Sequence, residues 1–251
     1  MKGQFQTDRG KIRDHNEDAG GVFYNRTGQL LAVIADGMGG HQAGDVASQM
    51  ATSLLRDKWE HIASFESTEE TEKWLNDTLQ EINREILTHA RKHEACAGMG
   101  TTVVAAVCTD QFTAVSHVGD SRCYIQDQNG LRQVTEDHSL VNELVRSGQI
   151  SPDDAEHHPR KNVLLKALGT DADITADVQT IEWTAGHQLL LCSDGLTNKL
   201  TDEELLTFMQ KDQTLDTTSN EMIELANERG GEDNISLIIV SYDAARKEGD
   251  G

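Results

Sequence analysis

Four β-like runs in this chain each meet an aspartate. "LLAVIADGMGG" carries Leu30–Ala35 into Asp36, "FTAVSHVGDSR" runs into Asp120, "HQLLLCSDGL" into Asp194, and "GGEDNISLIIVSY" opens just after Asp233. If these strand ends converge, each close pair of carboxylates repels by roughly 4 kcal/mol at an effective dielectric of about 20, unless something positive lies between them. A hard divalent cation meets that need. Glycines crowd the same places and suit either reading, because they accept turn angles closed to other residues and let a carbonyl or a water approach an ion. A turn accounts for any one Asp-Gly pair; the repetition points to a metal.

The candidate donors are oxygens, which favours Mn²⁺ or Mg²⁺ over Zn²⁺. The adjacent pair His157-His158 lacks the helical spacing of a zinc motif and reads as solvated loop. His41 follows Asp36 by five residues on a glycine-rich loop, where it could donate a proton to a leaving oxygen. An exposed loop histidine with no such role fits the sequence equally well.

A formal charge of −21 and a pI of about 4.7 oppose non-specific binding to nucleic acid or anionic membrane, since both would repel this surface. The N-terminal stretch has no apolar signal core, and no segment approaches the length of a membrane span. A cytoplasmic protein, not inserted in a membrane, is expected. The four cysteines, Cys96, Cys108, Cys123 and Cys192, have no paired metal-binding spacing and read as reduced, mostly buried thiols.

With 251 residues, 2 prolines and no linker-like tract, one domain over 1–242 followed by a polar tail over 243–251 is the expected organisation. Strand-like runs fall at Leu30–Ala35, Thr102–Val107, Phe112–Val118, Cys123–Ile125, Gln188–Cys192 and Ile235–Ser241. Helical periodicity links Ala47, Met50, Ala51, Leu54 and Leu55, and again Trp74 through Leu87. Shorter helices are expected at Leu140–Ser147, Asp202–Met209 and Ser219–Asn227. Short turns and long helical pairs alternate between the strands, which favours antiparallel sheets with helices packed outside.

Other catalytic routes lack their signatures. There is no Gly-x-Ser-x-Gly elbow and no phosphate-binding P-loop. A cysteine-based phosphatase needs an arginine six residues after its nucleophile, and here those positions hold Thr102, Ala114, Asn129 and Asn198. Covalent catalysis through Cys192 is therefore not expected.

The motifs "TDRGKIRDHNED", "ADGMGGHQAGDVAS", "GMGTT", "HVGDSRCY", "VTEDHSLVNELV", "LLLCSDGLTNK" and "GGEDNIS" stand in one order from about Thr7 to Val240. In that order the chain resembles the metal-dependent Ser/Thr protein phosphatases of type 2C, and among them the bacterial partners of membrane-anchored kinases. The resemblance implies an α+β fold, a four-layer α-β-β-α sandwich of two antiparallel sheets flanked by helices, with a binuclear Mn²⁺ or Mg²⁺ site at one end. It implies that Asp36 bridges both ions, that the carbonyl of Gly37 binds the first, and that Asp194 and Asp233 bind the second. Asp18 would hold a water on the ions, and Asp120 with Asp194 would serve a third, weaker ion.

By the same resemblance Arg13 clasps the substrate phosphate, and the segment 137–168 forms a flap beside the active site. For His41 the match is looser: the proton donor proposed in eukaryotic members directly follows the bridging Asp-Gly pair, where this chain has Met38. The implied chemistry is hydrolysis of phosphoserine and phosphothreonine by a water that two ions, roughly 3.5–4 Å apart, acidify and aim at phosphorus. The implied partners are phosphorylated proteins and a cognate Ser/Thr kinase, and a monomer is expected. Arg160-Lys161 in the flap is a basic spot that suits acidic substrate segments or plain solvation. Two rivals remain: a stress-response phosphatase acting on an anti-anti-sigma regulator, and a non-catalytic phosphoprotein-binding module.

Overall fold

The structure, a computed structural model, describes residues 1–40 and 43–242. The expectations for His41 and for the tail 243–251 fall outside these residues.

In chain order the strands are β1 (Lys2–Asp8), β2 (Asp18–Tyr24), β3 (Leu30–Met38), β4 (Gly100–Thr101), β5 (Val103–Cys108), β6 (Phe112–Val118), β7 (Arg122–Asp127), β8 (Gly130–Gln133), β9 (Asp177–Glu182), β10 (Gln188–Cys192) and β11 (Ile235–Ser241). The helices are α1 (Ala43–Trp59), α2 (Thr68–Lys92), α3 (Leu140–Arg146), α4 (Pro152–Glu156), α5 (Asp194–Thr197), α6 (Asp202–Met209) and α7 (Leu215–Glu228). One sheet runs β1-β11-β10-β7-β8 and the other β2-β3-β5-β6-β9, with β4 added beside β3. Every neighbouring pair is antiparallel.

The layering follows from strand periodicity. On β3, Leu30, Ala32 and Ile34 point into the core between the sheets, while Leu31, Val33 and Ala35 face α1 and α2. On β11, Ile238 and Val240 enter the same central core, while Leu237 and Ile239 face the helices α5–α7. Central strands that bury both faces read as continuous apolar runs, and two such sheets need helices on both outer surfaces. The result is the four-layer sandwich expected from the resemblance.

Side chains mark the helix starts. Ser67 accepts from the Glu70 amide at the head of α2, and Thr201 and Glu204 cap α6 reciprocally. Helix α7 begins at Leu215, four residues before the expected Ser219, because Thr214 supplies its cap. All four cysteines are free and buried. Burial pushes the Cys192 thiol up to about 12, so it is no nucleophile. Among the described residues no helix is long and apolar enough to cross a membrane.

Two expectations need correction. The strand ending at Ala35 continues to Met38, so Asp36 sits within β3 rather than at its end, because β4 pairs with Gly37 and Met38. Strands β1, β2, β8 and β9 were not anticipated. Their sequences, such as "KGQFQTD" and "DVQTIE", are only partly buried and polar enough to hide the period.

Candidate active site

Each sheet brings its own acids to one end of the sandwich. In the second sheet, Asp18 of β2 lies directly across from Asp36 of β3. The backbone of Asp36 is held on its other side. Its N–H donates to Thr102 Oγ1 at 3.0 Å, and its carbonyl accepts from the Thr102 amide at 2.8 Å and from Thr101 Oγ1 at 2.9 Å. Thr102 Oγ1 also meets Ser121 Oγ at 2.7 Å, which ties β3 to the loop that carries Asp120. Gly37 can only be glycine: a Cβ there would stand 2.1 Å from the carbonyl oxygen of Gly44, where α1 crosses β3.

The first sheet supplies Asp194 and Asp233. Asp194 opens α5 directly after β10, and its Oδ2 accepts from the Asn198 amide at 3.0 Å. Asp233 precedes β11; its Oδ1 accepts from the Asn234 N–H at 2.8 Å and its Oδ2 from Arg13 Nη2 at 2.8 Å. Asn234 braces the loop between β1 and β2. Its amide donates to the carbonyls of Arg9 (2.8 Å) and His15 (2.9 Å), and its Oδ1 accepts from the Glu17 N–H (2.8 Å). Ser193 joins the two sheets, donating to Asp18 Oδ2 at 2.8 Å while accepting from the Ser236 amide at 3.0 Å.

Asp36, Asp120, Asp194 and Asp233 line one cleft of about 360 Å³, together with Arg13 and Glu17. Asp18 lies behind it. Desolvation pushes Asp36 well above the ordinary carboxylate range, and the charges of Asp18, Asp194, Asp120 and Asp233 push it further. Burial raises Asp18 and Asp120 to about 7 and Asp194 to about 6. Glu17 is raised as well, mainly by burial and against the pull of Arg13. Two buried oxygens, Asp18 Oδ1 and Asp194 Oδ1, have no hydrogen-bond partner. Crowded carboxylates with unpartnered oxygens, in a cleft whose lining among the described residues includes no cysteine or histidine, fit a hard divalent cation.

The site residues read from the sequence, His41 apart, thus come to one place, and Gly37 with them. Sequence reasoning missed the supports: Thr102, Ser193, Asn234 and the cleft-lining Glu17. All four lie within the quoted motifs; Glu17, Ser193 and Asn234 each adjoin an acid, and that adjacency was the available signal, whereas Thr102 stands eight residues from any acid. The segment 137–168 contains α3 and α4 and is cinched at its base, where Leu140 N–H donates to Val163 O (2.8 Å) and Leu165 N–H to His138 O (2.7 Å). Between this segment and the chain that follows Asp194 lies a hollow of about 670 Å³ that shares Asp120 and Asp194 with the cleft and is also lined by Lys161 and Lys199.

A two-sheet sandwich with helices on both outer faces and an acid cleft at one end is the frame of a 2C-type phosphatase. The chain belongs to the protein phosphatase 2C family: the family model with that description matches residues 8–233. It is 47% identical over 247 residues, 98% of each chain, to the serine/threonine phosphatase stp of Listeria monocytogenes. The crystal structure of the serine/threonine phosphatase Stp1 from Staphylococcus aureus superimposes with a TM-score of 0.91 at 38% identity, covering 97% of this chain and 95% of that one. The catalytic domain of the phosphatase PstP, solved in complex with 2 manganese ions, matches with a TM-score of 0.85 at 30% identity over 97% of this chain and 98% of that one. The protein is a Ser/Thr protein phosphatase, and its family implies a metal-dependent mechanism.

Proposed function

We propose that this enzyme hydrolyses phosphoserine and phosphothreonine esters at a binuclear Mn²⁺ or Mg²⁺ centre, with no phosphoenzyme. The observation that carries this reading is the convergence of acids from both sheets on one cleft, two of their oxygens left without partners. Asp36 would bridge the two ions, the Gly37 carbonyl would join the first, and Asp194 and Asp233 the second. Asp18 would hold a water from behind, and Asp120 with Asp194 would take a third, weaker ion. Ions held there supply an acidified water and positive charge for the phosphoryl oxygens.

The chain's own groups do the rest. Arg13 stands at the rim, half-exposed, with Nε and Nη2 engaged by the Glu232 carbonyl and Asp233, which fixes the guanidinium plane and leaves Nη1 for a phosphate oxygen. His41 remains the candidate donor to the leaving oxygen. The segment 137–168 serves as a flap on a single phosphatase domain, 1–242. The substrates would be phosphoproteins of a membrane-anchored Ser/Thr kinase, met by a cytoplasmic monomer. Support for this setting comes from the similarity to bacterial phosphatases over nearly the whole chain.

The test is a titration of metal-stripped protein with Mn²⁺ and with Mg²⁺, followed by calorimetry and by hydrolysis of p-nitrophenyl phosphate and a phosphothreonyl peptide. Two ions bound before activity appears, with all activity lost in chelator, is the expected result. Full hydrolysis in excess chelator would overturn it.

A further inference from the structure

Outside the acid cleft, His117, His138 and Asp177 bring one ligand-type atom each to within 4.8 Å of the others. His117 is the last but one residue of β6 and Asp177, its register partner, begins β9, while His138 stands in the loop before α3. A metal site is the first reading to weigh. Three features oppose it. The imidazoles of His117 and His138 are stacked, 10° from parallel with centroids 4.6 Å apart, whereas an ion bound through both would have to lie in both ring planes. Lys166 Nζ already places a positive charge there, 3.3 Å from Asp177 Oδ1 and 3.5 Å from His138 Nε2. Nδ1 of His138, finally, is taken.

It is taken by Gly119, the residue before Asp120. The Gly119 N–H donates to His138 Nδ1 at 3.1 Å, and the His138 N–H donates to the Gly119 carbonyl at 2.9 Å. One residue therefore holds both polar groups of Gly119. The amide can only donate, so Nδ1 must be the unprotonated nitrogen and Nε2 must carry the hydrogen. Nε2 faces Asp177 Oδ1 at 3.4 Å, which suits that tautomer. His117 supports the ring by stacking, its own Nε2–H donating to the Glu136 carbonyl at 2.8 Å. Burial, His117 and Lys166 all lower the basicity of His138 and keep the acceptor nitrogen free. Gly119 itself is at φ +108°, and a Cβ would stand 2.6 Å from Thr102, the residue that holds Asp36. The loop is thus wedged between Thr102 on one side and His138 on the other.

We infer that His138, locked by Asp177 and His117 as its Nε2–H tautomer, is a positioning residue that holds the Gly119–Asp120 loop in place and thereby sets the occupancy of the weak cation position proposed for Asp120. The inference rests on the role proposed for Asp120 and does not bear on the tight pair of ions.

Three variants of His138 test it, because their side chains place polar atoms differently. His138→Asn retains an acceptor near the Nδ1 position, His138→Gln places its amide nearer Nε2, and His138→Leu has neither. Calorimetry with Mn²⁺ should show two tight ions in all three. In the Leu and Gln variants the weak ion should bind about tenfold more loosely, with kcat reduced and KM for a phosphopeptide little changed, as when an outer support of a ligand is lost. His138→Asn should recover most of the loss. In the unsubstituted protein, ¹⁵N spectra of the His138 ring should show an unprotonated Nδ1. Should the Leu variant fail to fold, the contrast between Asn and Gln decides. A protonated Nδ1, or equal weak-ion affinity in the Asn and Gln variants, would overturn the inference. Asp120→Ala run in parallel separates the two levels: undiminished kcat there would overturn the role of Asp120 and this inference with it, whereas an impaired Asp120→Ala beside an unimpaired His138→Gln would overturn the inference alone.

Discussion

Arg13 and Asp233, 220 residues apart in the chain, meet at 2.8 Å between Nη2 and Oδ2 at the rim of the cleft. A candidate phosphate clasp is thus oriented by a candidate metal ligand. Replacing Arg13 by Ala should raise KM for a phosphopeptide by about tenfold while kcat falls less, because the charged Nη1 group offered to a phosphate oxygen is lost and the acids remain. Arg13→Lys should recover only part of the loss, since an ammonium cannot reproduce the planar fork. An unchanged KM in the Ala variant would remove Arg13 from the substrate site.

Removing charge from the cleft should separate activity from stability. Asp36→Asn and Asp233→Asn should each abolish turnover, yet in chelator their melting temperatures should equal or exceed that of the unsubstituted protein, because one source of repulsion is gone. Either variant with near-normal kcat would show the ligand assignment to be wrong.

The same acids set a pH dependence whose sign can be worked out. Asp18 and Asp120 are raised to about 7 and Asp194 to about 6, so the metal-free folded chain holds protons that an unfolded chain has already released. These groups therefore make stability fall as pH rises from about 4 to about 7. Melting in chelator should occur several degrees higher at pH 5.5 than at pH 8, given that about 1 kcal/mol corresponds to roughly 2–4 °C in a chain of this size. Saturating Mn²⁺ should cancel or reverse the slope, because it binds the deprotonated carboxylates. Melting curves at the two pH values, each with and without metal, decide the matter, and a metal-free slope of the opposite sign would refute the crowding.

Gly195 offers a steric test. A Cβ there would stand 1.9 Å from the carbonyl oxygen of Asn234, a backbone atom that cannot swing aside. Gly195→Ala should cost about 1–3 kcal/mol or more in denaturant titrations, as overpacking does. Gly40, with nothing within 4 Å of its Cβ position, is the control. Its Ala variant should stay within about 0.5 kcal/mol, as surface substitutions usually do. Equal stabilities for the two variants would contradict the close crossing of α5 and β11.

What the sequence made legible follows from where residues are buried. Phe112–Val118, Gln188–Cys192 and Ile235–Ser241 are central strands buried along most or all of their length, and their apolar runs mark them to the residue. The strand β1 was invisible because Gln4 and Gln6 are ordinary polar residues that owe their extended form to pairing with β11, a contact more than 200 residues away. Asp36, Asp120, Asp194 and Asp233 were legible because each bounds an apolar run with a charge that a simple turn does not need, whereas Asp18, in the polar stretch "RDHNED", was singled out by the resemblance. Thr102, Ser193 and Asn234 were not, since threonine, serine and asparagine beside a strand are common, and only the fold reveals what their hydrogen bonds hold. The contact of His138 with Gly119 belongs to the same class: two loops nineteen residues apart, with no periodic signal between them.

Asp18 and Asp36 belong to one sheet, Asp194 and Asp233 border strands of the other, and Asp120 lies in the turn by which the chain crosses from β6 to β7; that turn, the β1–β2 loop and hydrogen bonds such as Ser193 with Asp18 and Asn234 with Glu17 tie the sheets together at that end. The sandwich is thus a book with apolar filling around Trp183 and Tyr242 at one edge and like charge on both covers at the other, where those turns and bonds restrain it. Ions between the covers would act as a clasp, so the event that makes the enzyme competent would be the one that tightens that edge. Starved of metal, the chain would be held at that edge by those ties against the repulsion of its own acids. Cation supply would then govern how firmly each copy is held there as well as how fast it turns over.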